Sequence, residues 1–289
     1  MKAKVKTLLR WLTAPFWLPW KGVRALARGI YRLRMRGTAF FTQEPVEHSL
    51  ADALQQAVDN PAWLWTHFNA LRKHLFRATV VWVLATAAAF FLTPRLVAFL
   101  AAPVGGLEHL QAIEVTEPLN VYMRAALLAG FAVALPYIYF EMYLFVAPAL
   151  RPKQRVAGLV ALPLVLLFFV GGMAFAYKVM LPTALPFLLN FMGIATMPRP
   201  ASYMRFVVGL MFWIGVAFEF PLVMYLLAAL GWVKSGQLAR QWRVAVVAIA
   251  VLAAAITPTV DPVNMLLVMA PMVVLYLLGV GLARVAEHH

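Results

Sequence analysis

Cysteine is absent from the 289-residue chain, which excludes disulfides, thiolate metal ligands and cysteine nucleophiles. Charge is scarce too: 12% of the residues are Asp, Glu, Lys or Arg, against ~25% in soluble domains. Acids are the scarcer sign, 11 against 25 Lys and Arg. Serine occurs only as Ser49, Ser202 and Ser235, none in the middle of a long apolar run. The histidines (His48, His67, His74, His109, His288 and His289) also lie outside the apolar cores. Neither a Ser–His pair nor a two-aspartate arrangement is available for proteolysis inside a membrane, so no catalytic residue is expected. His67 and His74 can share a helix face, but two histidines are a weak metal signal. Neither a metal nor a cofactor is expected. No internal repeat is visible.

Apolar side chains are what the sequence has in excess, 64% of all residues. That composition belongs to an integral membrane protein. A net charge of +14 would suggest nucleic acid in a soluble protein. Here the basic residues flank apolar runs, so anionic lipid and the orienting effect of positive loops explain them, and no nucleic-acid partner is expected.

Six apolar runs, near 75–94, 119–144, 157–181, 204–230, 243–257 and 263–283, predict transmembrane helices. A helix needs ~20 residues to cross, range ~17–25, and the fifth run is the shortest. Six crossings put both ends on one side. With the N-terminus inside, the inner segments hold 20 Lys and Arg and the outer loops and span ends hold five. The expectation is therefore a plasma (inner) membrane protein with both termini cytoplasmic. The loops near 95–118 and 182–203 are rich in Pro and Gly and are expected to hold short helices or caps.

Residues 1–64 form a basic extension ahead of a membrane domain over 65–284 and a short tail, 285–289. The first forty residues hold ten Lys or Arg and no acid. "WLTAPFWLPW" is too short and proline-rich for a cleaved signal and is followed by arginines. In "KGVRALARGIYRLRMR", Val23, Leu26, Ala27, Ile30 and Tyr31 share one helical face, opposite Lys21, Arg24, Arg28 and Arg32. That pattern suits a helix lying on anionic lipid; a disordered basic tail is the alternative.

Within the fourth run, the stretch Phe206–Leu230 contains one charge, Glu219, followed by Pro221. A charge in a span costs about 3 kcal/mol on insertion scales, so it must face a bundle interior or a wet cavity. Glu219 is either structural, bonded to carbonyls freed by Pro221, or the polar floor of a groove that meets a ligand. The other glycines and prolines within the runs suit close helix packing and bends.

Several short elements occur in order along residues 65–284. They are "HFNALR" (His67–Arg72), "TEPL" (Thr116–Leu119) and "LPYIYFEMYLFVAPALRPKQR" (Leu135–Arg155). "GGMAFAYKVMLP" (Gly171–Pro182), "FEFP" (Phe218–Pro221) and "TPTVDP" (Thr257–Pro262) follow. Together they resemble the TatC family, the six-span core subunit of the twin-arginine protein translocase. The resemblance implies an all-α membrane protein, N-in/C-in, curved like a cupped hand with a concave face. It implies transport driven by the proton-motive force with no hydrolysis by this subunit, within an oligomeric complex containing single-span TatA/TatB-type partners. Twin-arginine signal peptides of folded cargo would bind Arg72, Phe145, Gln154 and Arg155, and Glu141 joins these from its own place one turn before Phe145. Glu219, Pro221, Asp261 and Met265 would belong to the concave face or a partner contact. Pro103, Glu117, Pro118, Pro136 and Pro148 would shape loops and helix ends.

Departures from the family pattern bear on recognition. Arginines are best held by carboxylates. The family has Glu where this chain has Ala70 and Gln154, and an acid where it has Leu277. A hydrogen bond to a charged group is worth ~1.5–3 kcal/mol, so losing both glutamates would cost roughly a hundredfold in affinity. Glu141 stands one turn before Phe145 and is placed to supply part of the missing charge, with Gln154 as a neutral acceptor. The alternatives are an assembly paralogue that has lost twin-arginine recognition, and an ion-coupled transporter using Glu219. The absence of a repeat and the single deep ionisable group argue against the transporter.

Overall fold

A computed structural model of the chain describes residues 61–150, 152–190, 197–256 and 262–287. The basic extension up to residue 60, Asp261 and the final His288–His289 pair lie outside the described residues. All described residues belong to the compact unit Val46–His289.

Every described element is helical. Helix α1 (Pro61–Ala89) begins four residues before the expected domain boundary and continues through a tight 3₁₀ turn, Phe90–Leu92, into α2 (Thr93–Ala101). Further 3₁₀ turns at Ala102–Val104 and Leu107–His109 lead to α3 (Glu117–Val146). Helix α4 (Pro152–Phe175) passes through a π-helical turn, Ala176–Met180, into α5 (Leu181–Leu189). Then come α6 (Pro200–Phe218), α7 (Phe220–Ala229), α8 (Ser235–Arg240), α9 (Trp242–Ile256) and α10 (Pro262–Glu287). The short helices expected near 95–118 and 182–203 are thus present.

Five helical stretches are long and apolar enough to cross a bilayer: His67–Val104, Glu117–Ala149, Gln154–Leu189, Pro200–Ala229 and Met265–Glu287. The remaining predicted run is the 15-residue α9. All six predicted runs therefore fall on helices, and the fifth is shorter than a typical span.

Proline and glycine mark the breaks. Pro118 sits in the first turn of α3, where a missing N–H leaves no intrahelical bond unmade. Pro103 and Pro148 lie in the 3₁₀ turns Ala102–Val104 and Ala147–Ala149, and Pro136 lies inside α3. Gly231 (φ 74°) ends α7, and the Trp232 N–H reaches the Leu227 carbonyl at 3.0 Å, a left-handed cap that a side chain would strain.

Helix α1 packs along α3, α7 along α10, and α6 against α3 and α4. The largest buried cluster joins α2, the start of α3, the π turn, α5 and α6 through Leu100, Val121, Leu181, Met204 and Ile214. Tyr203 and Tyr177 each donate at 2.7 Å to carbonyls of the last turn of α2, Leu100 and Phe99. A second cluster, of Leu135, Val165 and Phe169, continues between α3, α4 and α6.

Candidate functional site

The expected signal-binding residues divide into two places. Tyr137, Glu141 and Phe145 follow at four-residue spacing along α3, so they share one face. Helix α1 presents His74 to that face. Glu141 is 3% exposed, and both its oxygens are engaged. Tyr137 Oη donates to Oε1 at 2.6 Å, and His74 Nδ1 lies 2.6 Å from Oε2. The His74 and Phe145 rings meet edge-on with centroids 6.1 Å apart. Arg72 and Arg77 are exposed on the same helix as His74. The site thus joins one buried carboxylate, an aromatic edge and exposed cations, with Phe145 partly open.

Arg155 is 2% exposed and turns into the loop before α4. Its Nε donates to the Ala147 and Leu150 carbonyls, each at 2.9 Å, and its terminal nitrogen reaches Pro148 O at 3.4 Å. Tyr143 Oη closes the arrangement on the Arg155 carbonyl at 2.8 Å. These bonds give Arg155 a loop-bracing job. Gln154, 5% exposed, lines a different cleft, with the ends of α7, α8 and α10; neither Glu141 nor Phe145 borders it.

The sequence reading missed His74 and Tyr137 as partners of Glu141. The four-residue spacing was a usable signal for Tyr137. His74 is 67 residues away, and only the register of α1 on α3 brings it there.

Glu219 occupies the turn between α6 and α7, and Pro221 sits buried in the first turn of α7. The Glu219 carbonyl accepts from Leu222 and Val223, at 3.0 and 3.1 Å. Glu219 is among the residues that border a cavity of about 380 Å³ between α6, α7, α9 and α10, walled by Trp213, Val223, Ile249, Leu252 and Met272. The cavity wall is apolar, and Glu219 Oε1 is buried with no hydrogen-bond partner. Met265 does not line this cavity; it packs against the main core.

At the other end of α3, Glu117 is 1% exposed and ties two loops together. Its Oε1 accepts from Arg199, whose Nε lies at 2.9 Å, and from the Ile113 and Glu114 N–H groups at 3.4 and 3.3 Å. Arg199 also donates to Glu114 at 3.0 Å. Hydrogen bonds donated to Glu117, then to Glu114, raise Arg199 above its already high ordinary value, so the guanidinium stays charged.

A bundle of helices this long and this apolar defines a polytopic membrane protein. The family profile described as "Sec-independent protein translocase protein (TatC)" matches residues 66–271. The chain is 36% identical over 234 residues to the Deinococcus radiodurans protein of that name, covering 77% of this chain and 86% of the relative. It is 32% identical over 231 residues to the chloroplastic protein of Arabidopsis thaliana, covering 78% and 67%. A crystal structure of the twin-arginine translocase receptor TatC superposes with a TM-score of 0.66 at 31% identity, covering 76% of this chain and 99% of that one. The chain belongs to the TatC family and is a core subunit of a Sec-independent protein translocase.

Proposed function

We propose that this protein receives twin-arginine signal peptides at the α1–α3 site and exports folded cargo, using the proton-motive force, with single-span TatA/TatB-type subunits. In this reading it is a six-span, cup-like subunit of an oligomeric complex in the inner membrane, with both termini cytoplasmic. Its basic N-terminal extension rests on anionic lipid. The observation that carries the reading is the placement of Glu141, His74 and Phe145 together. A guanidinium approaching Phe145 meets a carboxylate held rigid by two donors, whose remaining lone pairs can accept paired bonds. Arg72 stays part of the surrounding surface, and Gln154 and Arg155 act through the loop and the neighbouring cleft. Glu219, Pro221, Met265 and Asp261 are assigned to partner contact.

One observation favours the second reading, an assembly paralogue without twin-arginine recognition. Ala70 and Gln154 leave Glu141 as the only acid of α1 or α3 at this site, and His74 and Tyr137 already bond it. Photocrosslinking from Phe145 in native membranes separates the two. The receptor reading expects a crosslink to a twin-arginine signal peptide that disappears with a twin-lysine peptide and falls ~10-fold or more in E141Q, the size of one charge-assisted bond. A crosslink indifferent to both changes leaves the assembly reading.

A further inference from the structure

A groove between α4 on one side and α7 and α10 on the other changes character along its length. Its narrow part, about 440 Å³, is walled by Leu164, Val160 and Val156 of α4, Leu222 and Tyr225 of α7, and Leu282 of α10. Further along each of the same helices it opens into a cleft of about 750 Å³, bordered by Gln154, Ala228, Ala286 and Glu287. Gln154 borders both parts. From the narrow part to the cleft the lining runs back toward the start of α4 and forward toward the ends of α7 and α10, and Gln154 is common to both, so the two parts form one continuous groove.

Lys234 and Arg240 stand at the wide end, both exposed. The acid there, Glu287, is turned into the first turn of α8. It accepts from the Ser235 N–H and Oγ, each at 2.5 Å. The groove walls belong to helices long and apolar enough to cross a bilayer, so the narrow part lies at acyl-chain depth and the wide part at headgroup level. This holds whichever side the wide end faces. A soluble anion would match Lys234 and Arg240 but leave the apolar wall uncovered. A zwitterionic lipid would cover the wall but bring no net charge to the two cations. An anionic phospholipid satisfies both.

We propose that this groove binds one anionic phospholipid, with its phosphate at Lys234 and Arg240 and an acyl chain along Val160 and Leu164. The site is separate from the α1–α3 site and from the basic extension, and it does not depend on signal recognition. Native mass spectrometry of the purified full chain, with phosphatidylglycerol, phosphatidylcholine or glycerol 3-phosphate added, tests it. Phosphatidylglycerol is expected to bind most tightly. K234Q/R240Q weakens it roughly thirtyfold, the scale of two basic groups at a membrane surface, and leaves phosphatidylcholine unchanged. V160W, at a position 62% exposed, weakens both lipids. Equal binding of the two lipids, or phosphatidylglycerol binding indifferent to K234Q/R240Q, overturns the proposal. Displacement by glycerol 3-phosphate at comparable concentration also overturns it, by showing a free-anion site. K234Q/R240Q changes only exposed side chains, so it decides the matter even if V160W fails to fold.

Discussion

Glu117 and Glu141 stand near opposite ends of α3, both almost fully buried, and their neighbours assign them different work. Glu117 meets a guanidinium and two backbone N–H groups belonging to chain segments far apart in sequence, so it is a latch between loops. Arg199→Ala leaves that carboxylate buried with fewer donors, and removing one partner of a buried pair is worse than removing both. A melting temperature several degrees below wild type is expected for R199A, with R199A/E117Q recovering part of the loss. Additive losses in calorimetry would show that the two residues do not act as a pair. Glu219 is the third case, a carboxylate at the α6–α7 break whose Oε1 is buried without a hydrogen-bond partner. Glu219→Leu should raise stability by about 1–3 kcal/mol, the cost of an unsatisfied buried polar group, while reducing transport. A chemical-denaturation midpoint at or below wild type would mean that Glu219 is satisfied within the fold.

At the scale of elements, glycine decides how closely helices approach. A Cβ on Gly130 would stand 2.5 Å from Thr86 Cα and 2.7 Å from Thr86 N, so α1 lies on the bare backbone of α3. The contact sets the α1–α3 register that brings His74 to Glu141. Gly130→Ala would meet backbone, which cannot swing aside as a side chain can. It should destabilise by about 1–3 kcal/mol, as overpacking does, and weaken peptide crosslinking from Phe145 at the same time. A Cβ on Gly209 would have nothing within 4 Å, so Gly209→Ala is the control, neutral or slightly stabilising in thermal melts. The sequence shows glycines and prolines inside apolar runs but not which of them touch another helix. That information lies in helix pairing, which local periodicity does not encode. The same limit hid His74, whereas the α6–α7 break at Glu219 was legible from proline chemistry within one segment, and Glu141 from its spacing to Phe145, a residue that the family resemblance singles out. The apolar character of the cavity beside Glu219 was hidden for a related reason: part of its wall comes from α9 and α10, which the local sequence around Glu219 does not reveal.

At the scale of the whole described unit, the number of crossings turns on α9. Its 15 residues span about 22 Å, short of a hydrocarbon core of ~30 Å. We propose, from the hydrogen bonds around it, that it crosses nonetheless. Ser235 is bonded to Glu287, so the chain enters α8 beside the end of α10. It next enters α10 at Pro262, 26 residues and about 39 Å from that end. Only α9 and the few residues flanking it make the return, and Ile249 clusters with Tyr276 along the way. In that proposal a short crossing thins the bilayer locally at a modest cost, and the bias in basic charge, 20 Lys and Arg in one set of segments against five in the other, assigns α8 and the end of α10 to the inner side. The absence of native cysteine makes this directly measurable, because each introduced thiol is the only one. A membrane-impermeant maleimide should label H109C in intact cells and should reach A239C and R284C only after permeabilisation. Labelling of A239C and R284C from opposite sides would show that α9 does not cross. The two inner loops and the C-terminal end would then no longer share the face on which the proposed signal-peptide site depends.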